Sequence, residues 1–587
     1  MLRKLSTFIF AVLLLTNGYS QDLAGKISQD ALAILSFNFE SYGKKLDFSK
    51  IQQSTWFKEF DKNAASQTLE SYEFISKIFK NPTEIGINLA PRSYGVAEFL
   101  KGDFYTISYF VGISDAKKFE KAVSKQLANS KTAKEKKIIK KDGNKIAMLN
   151  DFDGVIWNDK FASIIAIIGE DNRINFDISY GDSLYDQKME KRRETFKEMK
   201  QTELKIKFDN FNITNDKSIE NNPNFKLFQT KSYDVGCWLN MSKLTDIYVR
   251  QMATLMPNSA MTGLFSRLSV GSYQHAFLSF NQGDITLDTH DYPDEKLAKN
   301  LTNAYNERLN PEAFKYIKGN KILGFVSIAS DLEVIAKVVD DYYRPILKEF
   351  EEGLKILAIY DLVSIPVDEK ALLTLFKNGA IVAVTGTKEF QRTSNQYETD
   401  ADGKESYVEK KVKEVLPIGA IVLTAGNKEN VEKIINALKV FNLVKPSGKG
   451  YAVEIPNSSM VINFIMNGDV IVITNDETLD IEKGVSKDMQ LAPAFQTMLA
   501  NNSNVAYFDF PNIINASMDF SKEVLNDRYK KMFEAVKSAL ESFRGLGVQQ
   551  DKNVFKQQYI LSVKDKKRNA MQVLSDLIDT LNPKDEK

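Results

Sequence analysis

Residues 321–343 read KILGFVSIASDLEVIAKVVDDYY, and variants of that pattern recur along the whole chain. The run ILGFVSI is rich in β-branched and aromatic residues, as a strand requires. Ser330 or Asp331 can then accept hydrogen bonds from the free amides of a first helical turn, within which Glu333 falls. Leu332, Ile335, Ala336, Val339 and Tyr343 follow at helical spacing, which predicts an amphipathic helix with one packed face. The unit is strand, polar cap, helix.

Working outward, 31–39 (ALAILSFNF) is a strand of the same kind, followed by an amphipathic helix over 48–60 and another over 69–79. The strand 104–113 leads through Ser114-Asp115 into a helix over 116–127. Residues 146–168 alternate apolar runs with Asn-Asp and Asp-Gly breaks, as a meander of short strands does. Residues 186–203 predict a charged, solvated helix. Asn222-Pro223 opens a further helix, 235–239 is a strand, Ser242 caps a helix over 243–255, and 273–291 is a hairpin before a helix over 295–309. From Gly319 the same order returns, through 419–425, 451–473, Pro493, 504–510 and 559–581. The expected fold is α+β: two related halves of repeated strand–helix units with antiparallel β-meanders, 21–318 and 319–587, joined by duplication.

Composition excludes several function classes. A chain of 587 residues exceeds one ordinary core. The 78 basic residues against 77 acidic ones give a charge of +1, without the basic excess of a nucleic-acid binder. One cysteine excludes an internal disulfide framework, and two histidines limit triad and zinc chemistry. No phosphate loop, dinucleotide fingerprint or Gly-x-Ser-x-Gly stands in the sequence, and no cofactor is implied. At the start, Arg3 and Lys4 precede the apolar run 8–15, and Gly18-Tyr19-Ser20 supplies small residues for cleavage between Ser20 and Gln21. Residues 1–20 are thus expected to be a signal peptide. The mature chain is expected to be secreted or periplasmic, without a transmembrane helix and without a lipid-attachment cysteine.

The stretches ISQDALAILSFNFESYGKKL (27–46), NPTEIGINLAPRSYGVAEF (81–99) and FVGISDAKKFEKAV (110–123) resemble an exported family, the domain-of-unknown-function family 4836. NNPNFKLFQTKSYDVGCWLNMSKL (221–244) and FNQGDITLDTHDYPDEKLAKNL (280–301) are similar to it as well. The resemblance implies export and an overall architecture of strands, caps and helices. It carries no catalytic motif and no site residues.

Individual candidates stand beside plainer readings. A turn at Gln282-Gly283 puts His275 opposite His290, with Asp288 on the same face, and two imidazoles and a carboxylate can bind a divalent metal. The plainer reading is a solvent-facing ladder. Residues 400–405 (DADGKE) look like a calcium loop but lack ligand positions, so a hairpin tip between 391–397 and 407–413 is expected. Asp151-Phe152-Asp153-Gly154 reads as a turn. Ser114 and Lys117 match Ser-x-x-Lys spacing, and Ser114 is better explained as a helix cap. Cys237 reads as a small core residue, and Phe37, Phe39, Trp56, Phe57 and Phe60 read as core.

The expected function is an exported, non-enzymatic binding or scaffold protein acting on an unidentified envelope or extracellular macromolecule. One alternative is a hydrolase using Asp and Glu in a cleft between the halves. Another is a carrier or chaperone with an apolar cavity. Function should lie where the copies differ: the 275/290 hairpin and the 391–413 insertion.

Overall fold

The computed structural model describes residues 23–45, 48–65, 74, 82–88, 92–100, 104–130, 133, 136–169, 185–212, 215–255, 271–319, 322–330, 332–349, 351–364, 368–399, 405–447, 450–479, 490–520, 526–551 and 553–581. The signal segment, most of the expected helix over 69–79 and the turn at 400–404 lie outside these. The chain mixes helices with antiparallel strands and divides into two compact units. The first comprises Met1–Leu244, Tyr273–Leu287 and Lys567–Lys587; the second comprises Thr245–Ser272 and Asp288–Lys566.

The first unit is built on strands β1 (Ala31–Phe37), β2 (Ile87–Asn88), β3 (Ser93–Phe99), β4 (Tyr105–Ile113), β5 (Ile139–Lys141), β6 (Asn144–Met148), β7 (Asp153–Trp157), β8 (Phe161–Ile168), β9 (Val235–Asn240) and β10 (Tyr273–Phe280). Antiparallel pairing orders its sheet β10-β9-β1-β3-β4-β8-β7-β6-β5, with β2 added to β4. Helices α1 (Phe39–Lys45), α2 (Phe48–Gln53) and α3 (Thr55–Ala65) follow β1; the helix expected over 48–60 is broken at Ser54, whose hydroxyl bonds the Ile51 carbonyl. Next come α4 (Ala116–Asn129), α5 (Tyr185–Asp209) and α6 (Pro223–Gln229), and then α7 (Met241–Leu255), which is counted with the second unit from Thr245.

Two of the expected caps are displaced. Asp115, not Ser114, accepts from the amides of Lys117 and Lys118 at the start of α4, and Asn240, not Ser242, accepts from Lys243 N at the start of α7. The carboxylate or amide oxygen accepts from free amides of the turn two or three residues further on. One face of the sheet packs Phe37, Phe39, Ile51, Trp56, Phe57, Tyr109, Phe119 and Trp157 into a continuous core. The opposite core holds Ile34, Tyr94, Phe225, Phe228, Tyr233, Trp238 and Phe277. Burying this aromatic surface drives the fold of the unit.

The second unit repeats the strand arrangement. It contains β12 (Gly324–Ile328), β13 (Phe376–Thr399), β14 (Glu405–Ala425), β15 (Lys445–Ser447), β16 (Gly450–Glu454), β17 (Val461–Asn467), β18 (Val470–Thr474), β19 (Asn504–Asp509), β20 (Leu540–Asp551) and β21 (Val554–Val563); β11 (Asp284–Tyr292) enters it at Asp288. The sheet runs β21-β20-β19-β12-β13-β14-β18-β17-β16-β15. Apart from the additional edge strand β21, the order from β20 to β15 parallels that from β10 to β5, with β12 at the place of β1. Asn378 and Gly379 enter the left-handed region (φ 53° and 74°) and shift the β13 register before Ala380. Glycine is required at 379, because a Cβ there would overlap the Ile328 carbonyl. Phe325, Ile381, Val422, Val472, Val505 and Leu499 form this unit's main core.

Its helices are α8 (Glu295–Asn306), α9 (Leu332–Val338), α10 (Arg344–Leu347), α11 (Glu351–Ser364), α12 (Glu369–Leu373), α13 (Lys428–Val440), α14 (Pro493–Asn501), α15 (Phe510–Phe520) and α16 (Asp527–Ala539). The last helix, α17 (Ala570–Leu581), is counted with the first unit, where it packs on α2 and α3; Trp56 Nε1 donates to Ser575 Oγ (2.8 Å) and Trp56 N to Asp579 Oδ1 (2.9 Å).

Candidate functional site

The histidine hairpin forms its turn where the sequence puts it: Asn281 N donates to Asp284 O (2.9 Å) and Gly283 takes φ 80°. The expected solvent-facing ladder does not form, because His275 and His290 are both buried. His275 lies in the first unit, where Phe228 and Phe277 meet its ring edge-on at 5.5 and 5.8 Å. Its Nε2 is 2.7 Å from Asn224 Oδ1, which also accepts from Trp238 Nε1 (2.8 Å). An acceptor oxygen there puts the His275 proton on Nε2. Asp288 and His290 are counted with the second unit, and Gln558 Nε2 donates to Asp288 Oδ1 (2.8 Å), with Lys556 Nζ at 3.8 Å. Among the described residues, no group of three or more His, Cys, Asp or Glu is placed to hold a metal ion.

Ser114 and Lys117 are both exposed on the surface of the first unit. In the 151–154 turn, Asn150 Oδ1 accepts from the amides of Phe152 and Asp153, so this is a loop with its own internal hydrogen bonds. Burial pushes the Cys237 thiol up to about 12, the opposite of an activated nucleophile. Several buried carboxylates are held by cations. Asp234 accepts from Lys45 Nζ (2.9 Å), Ser41 Oγ (2.7 Å) and Phe280 N (2.7 Å), and Glu98 is paired with Lys207. Burial pushes the Asp476 carboxyl up, but hydrogen bonds from Lys318 (2.6 Å) and Thr478 outweigh it and hold its pKa below the ordinary value.

The 391–413 insertion is a long two-stranded ribbon. β13 and β14 stay paired from Phe376–Ala425 out to Thr399–Glu405, whereas β12 covers β13 only at Ala380–Val384. Turn residues 457–459 brace its middle, through Thr393 N to Asn457 O and Ser459 N to Gln391 O, both 2.7 Å. Near its tip, Tyr397 and Tyr407 meet edge-to-face at 4.9 Å, and both are exposed. At the same place in the first sheet, β3 and β4 pair only over Tyr94–Phe99 and Tyr105–Phe110.

The larger difference between the units lies at residues 321–343. β12 and α9 form as expected, but the apolar stripe of α9 is not packed: Leu332, Ile335 and Val339 are all exposed. The helix yields to a π-turn at Val339–Tyr343, and Tyr342 turns inward while its hydroxyl donates to Asp294 Oδ2 (2.7 Å). On the sheet, Val326 pairs with Val382, which pairs with Ile421, so the three share one face, and all are exposed. Ile328, the last residue of β12, is 56% exposed; Phe37, the last residue of β1, is 1% exposed. Helix α11 adds Leu354, Ile356, Ile359, Tyr360 and Leu362, exposed on several sides of one helix, with Leu362 at 67%. Helix α15 lies along β13, β14, β19 and β20 without covering these residues. Large exposed apolar surface marks an interaction site more often than an ordinary surface does.

Ion and ring contacts link α10 to α11, and a hydrogen bond links α11 to α12. Arg344 reaches Asp340 (3.0 Å) and Asp361 (2.9 Å) and lies over the Tyr360 ring at 5.2 Å, while the Tyr360 hydroxyl bonds Glu369. Periodicity could not have found this site, since an apolar stripe has the same spacing whether or not something covers it. The signal that was available is α11, which carries apolar residues around most of its circumference.

No helix among the described residues is long and apolar enough to cross a membrane. No curated protein and no solved structure matches the chain. The match that is found agrees with the resemblance read from the sequence: residues 25–173, which carry β1 to β8 of the first unit, fit the family described as Domain of unknown function (DUF4836).

Proposed function

We propose that the protein is an exported binding protein that holds a macromolecular partner on the open apolar face of its second unit. The observation that carries this reading is the contrast between Phe37, enclosed at the end of β1, and Ile328, open at the end of β12. The shared strand order of the two sheets supports duplication as the origin of the units, with one copy closed as scaffold and the other left open. The leader-like residues 1–20 support export, which predicts a mature chain beginning at Gln21.

A photo-reactive phenylalanine at Ile328 or Ile359, introduced in the native host, tests the reading. Both positions should give the same discrete adduct, and a control at exposed Ile206 in the first unit should not. Identical adducts from all three positions would mean that the face is merely sticky.

A further inference from the structure

Strand β14 has a long backbone edge that its own chain leaves open. β18 pairs with β14 only over Ala420–Thr424, and the other edge of the ribbon, on β13, is closed where Thr393 N and Gln391 O bond the 457–459 turn. Thr393 and Gln391 pair with Lys411 and Lys413, so the backbone groups of Lys411 and Lys413 point away from β13, toward the open side. The same alternation turns those of Tyr407, Glu409 and Val415 outward. No described residue bonds any of these five outward amides and carbonyls. The open length ends at Pro417, whose carbonyl accepts from Asn475 Nδ2 (2.9 Å). By contrast, the edge strands β5 and β15 are three residues each, the short length that keeps exposed edges from pairing.

We infer that this edge pairs antiparallel with the same edge of a second copy of the chain, centred on Val412. Along one face of β14 the side chains are Val408, Lys410, Val412, Glu414 and Leu416. Turned about Val412, that row is complementary to itself: Val412 meets Val412, Lys410 meets Glu414, and Val408 meets Leu416. This self-match is what selects a second copy over an unrelated strand. The charge pairing needs no free side chain, because Glu414 already lies 3.8 Å from Arg392 of its own chain and Lys410 joins that pair. On the other face Lys411 meets Lys413, a like pair that Glu389 offsets by holding Lys413 at 2.8 Å. Glu409 meets Val415 there. Lys411 with Lys413, and Glu409 with Val415, exchange backbone hydrogen bonds across the two-fold axis, so two ribbons join as one four-stranded sheet.

Single cysteines in the full chain read the register, with wild type and its Cys237 as the background. Two opposed Val412 residues form a non-hydrogen-bonded pair with Cα atoms about 4.5 Å apart, within disulfide reach. V412C should therefore cross-link to a dimer under mild oxidation with copper phenanthroline. The two copies of Val408 would stand about 26 Å apart along the ladder, so V408C alone should not cross-link, whereas a mixture of V408C and L416C should. Sedimentation of the unoxidised chain gives the second measurement. K410E sets like charges opposite each other at both ends of the pairing and should weaken the dimer about tenfold, and K410E/E414K should restore it. The pairing is overturned if V412C gives no dimer beyond the wild-type background, or if V408C alone cross-links as readily as V412C. A wild type that sediments only as a monomer at the cross-linking concentration overturns it too, as does a K410E/E414K variant no better associated than K410E.

Discussion

Truncating Phe37 and Ile328 to alanine, in separate proteins, puts the open face to a direct test. The two residues end the strands that hold the same place in the two sheets, but their surroundings differ. Phe37 is 1% exposed and stacks on Phe39 with ring centroids 5.6 Å apart. Its removal leaves a cavity in a closed core and should cost about 3–5 kcal/mol. Ile328 is already 56% exposed. Full burial of such a side chain is worth about 2 kcal/mol, so losing the covered part should cost about 1 kcal/mol or less. Guanidinium unfolding separates the two effects because Trp56, Trp157 and Trp238, all the tryptophans of the chain, lie in the first unit. Tryptophan emission therefore follows that unit, while far-ultraviolet circular dichroism follows both. With a denaturant slope of about 5 kcal/mol per molar, Phe37→Ala should lower the emission midpoint by about 0.8 M. Ile328→Ala should move the dichroism midpoint of the second unit by about 0.2 M and leave the emission unchanged. A shift for Ile328→Ala as large as that for Phe37→Ala would show that β12 ends in a packed core. The docking face would then not exist.

Gly379→Ala should destabilise the second unit by about 1–3 kcal/mol, because the residue has φ 74° and a Cβ would meet the Ile328 carbonyl; dichroism should fall early while emission does not. The depressed pKa of Asp476 contributes stability above the unfolded carboxyl value of about 3.9, and that contribution is lost as pH falls through the lower folded value. The gap in stability between wild type and Asp476→Asn should therefore be widest near neutral pH and narrow below about pH 4; a constant gap would refute the assignment. With its thiol held near 12, Cys237 should resist a disulfide reagent at pH 8 in the native chain and react at once after unfolding. Rapid labelling of the folded protein would refute that shift.

Local chemistry decided much of the architecture, and it was legible. Apolar runs rich in β-branched and aromatic residues placed β1, β4, β9 and β12, and turn breaks between such runs placed the meander β6–β8. Asn222-Pro223 marked a helix start because the Asn222 side chain bonds the free amides of the next turn.

Burial was another matter. A histidine pair read as lying on a solvent-facing ladder is enclosed, with Phe228 arriving against His275 from elsewhere in the chain. The stripe Leu332, Ile335 and Val339, read as a packed face, is open because no described element covers it. A sequence determines which side of a helix is apolar, since that depends only on the 3.6-residue repeat. Whether that side is core or docking surface depends on what else folds against it. The hydrophobic effect has no preferred direction and responds only to the area removed from water. Only the tertiary structure showed that the end of β1 is closed and the end of β12 is left exposed.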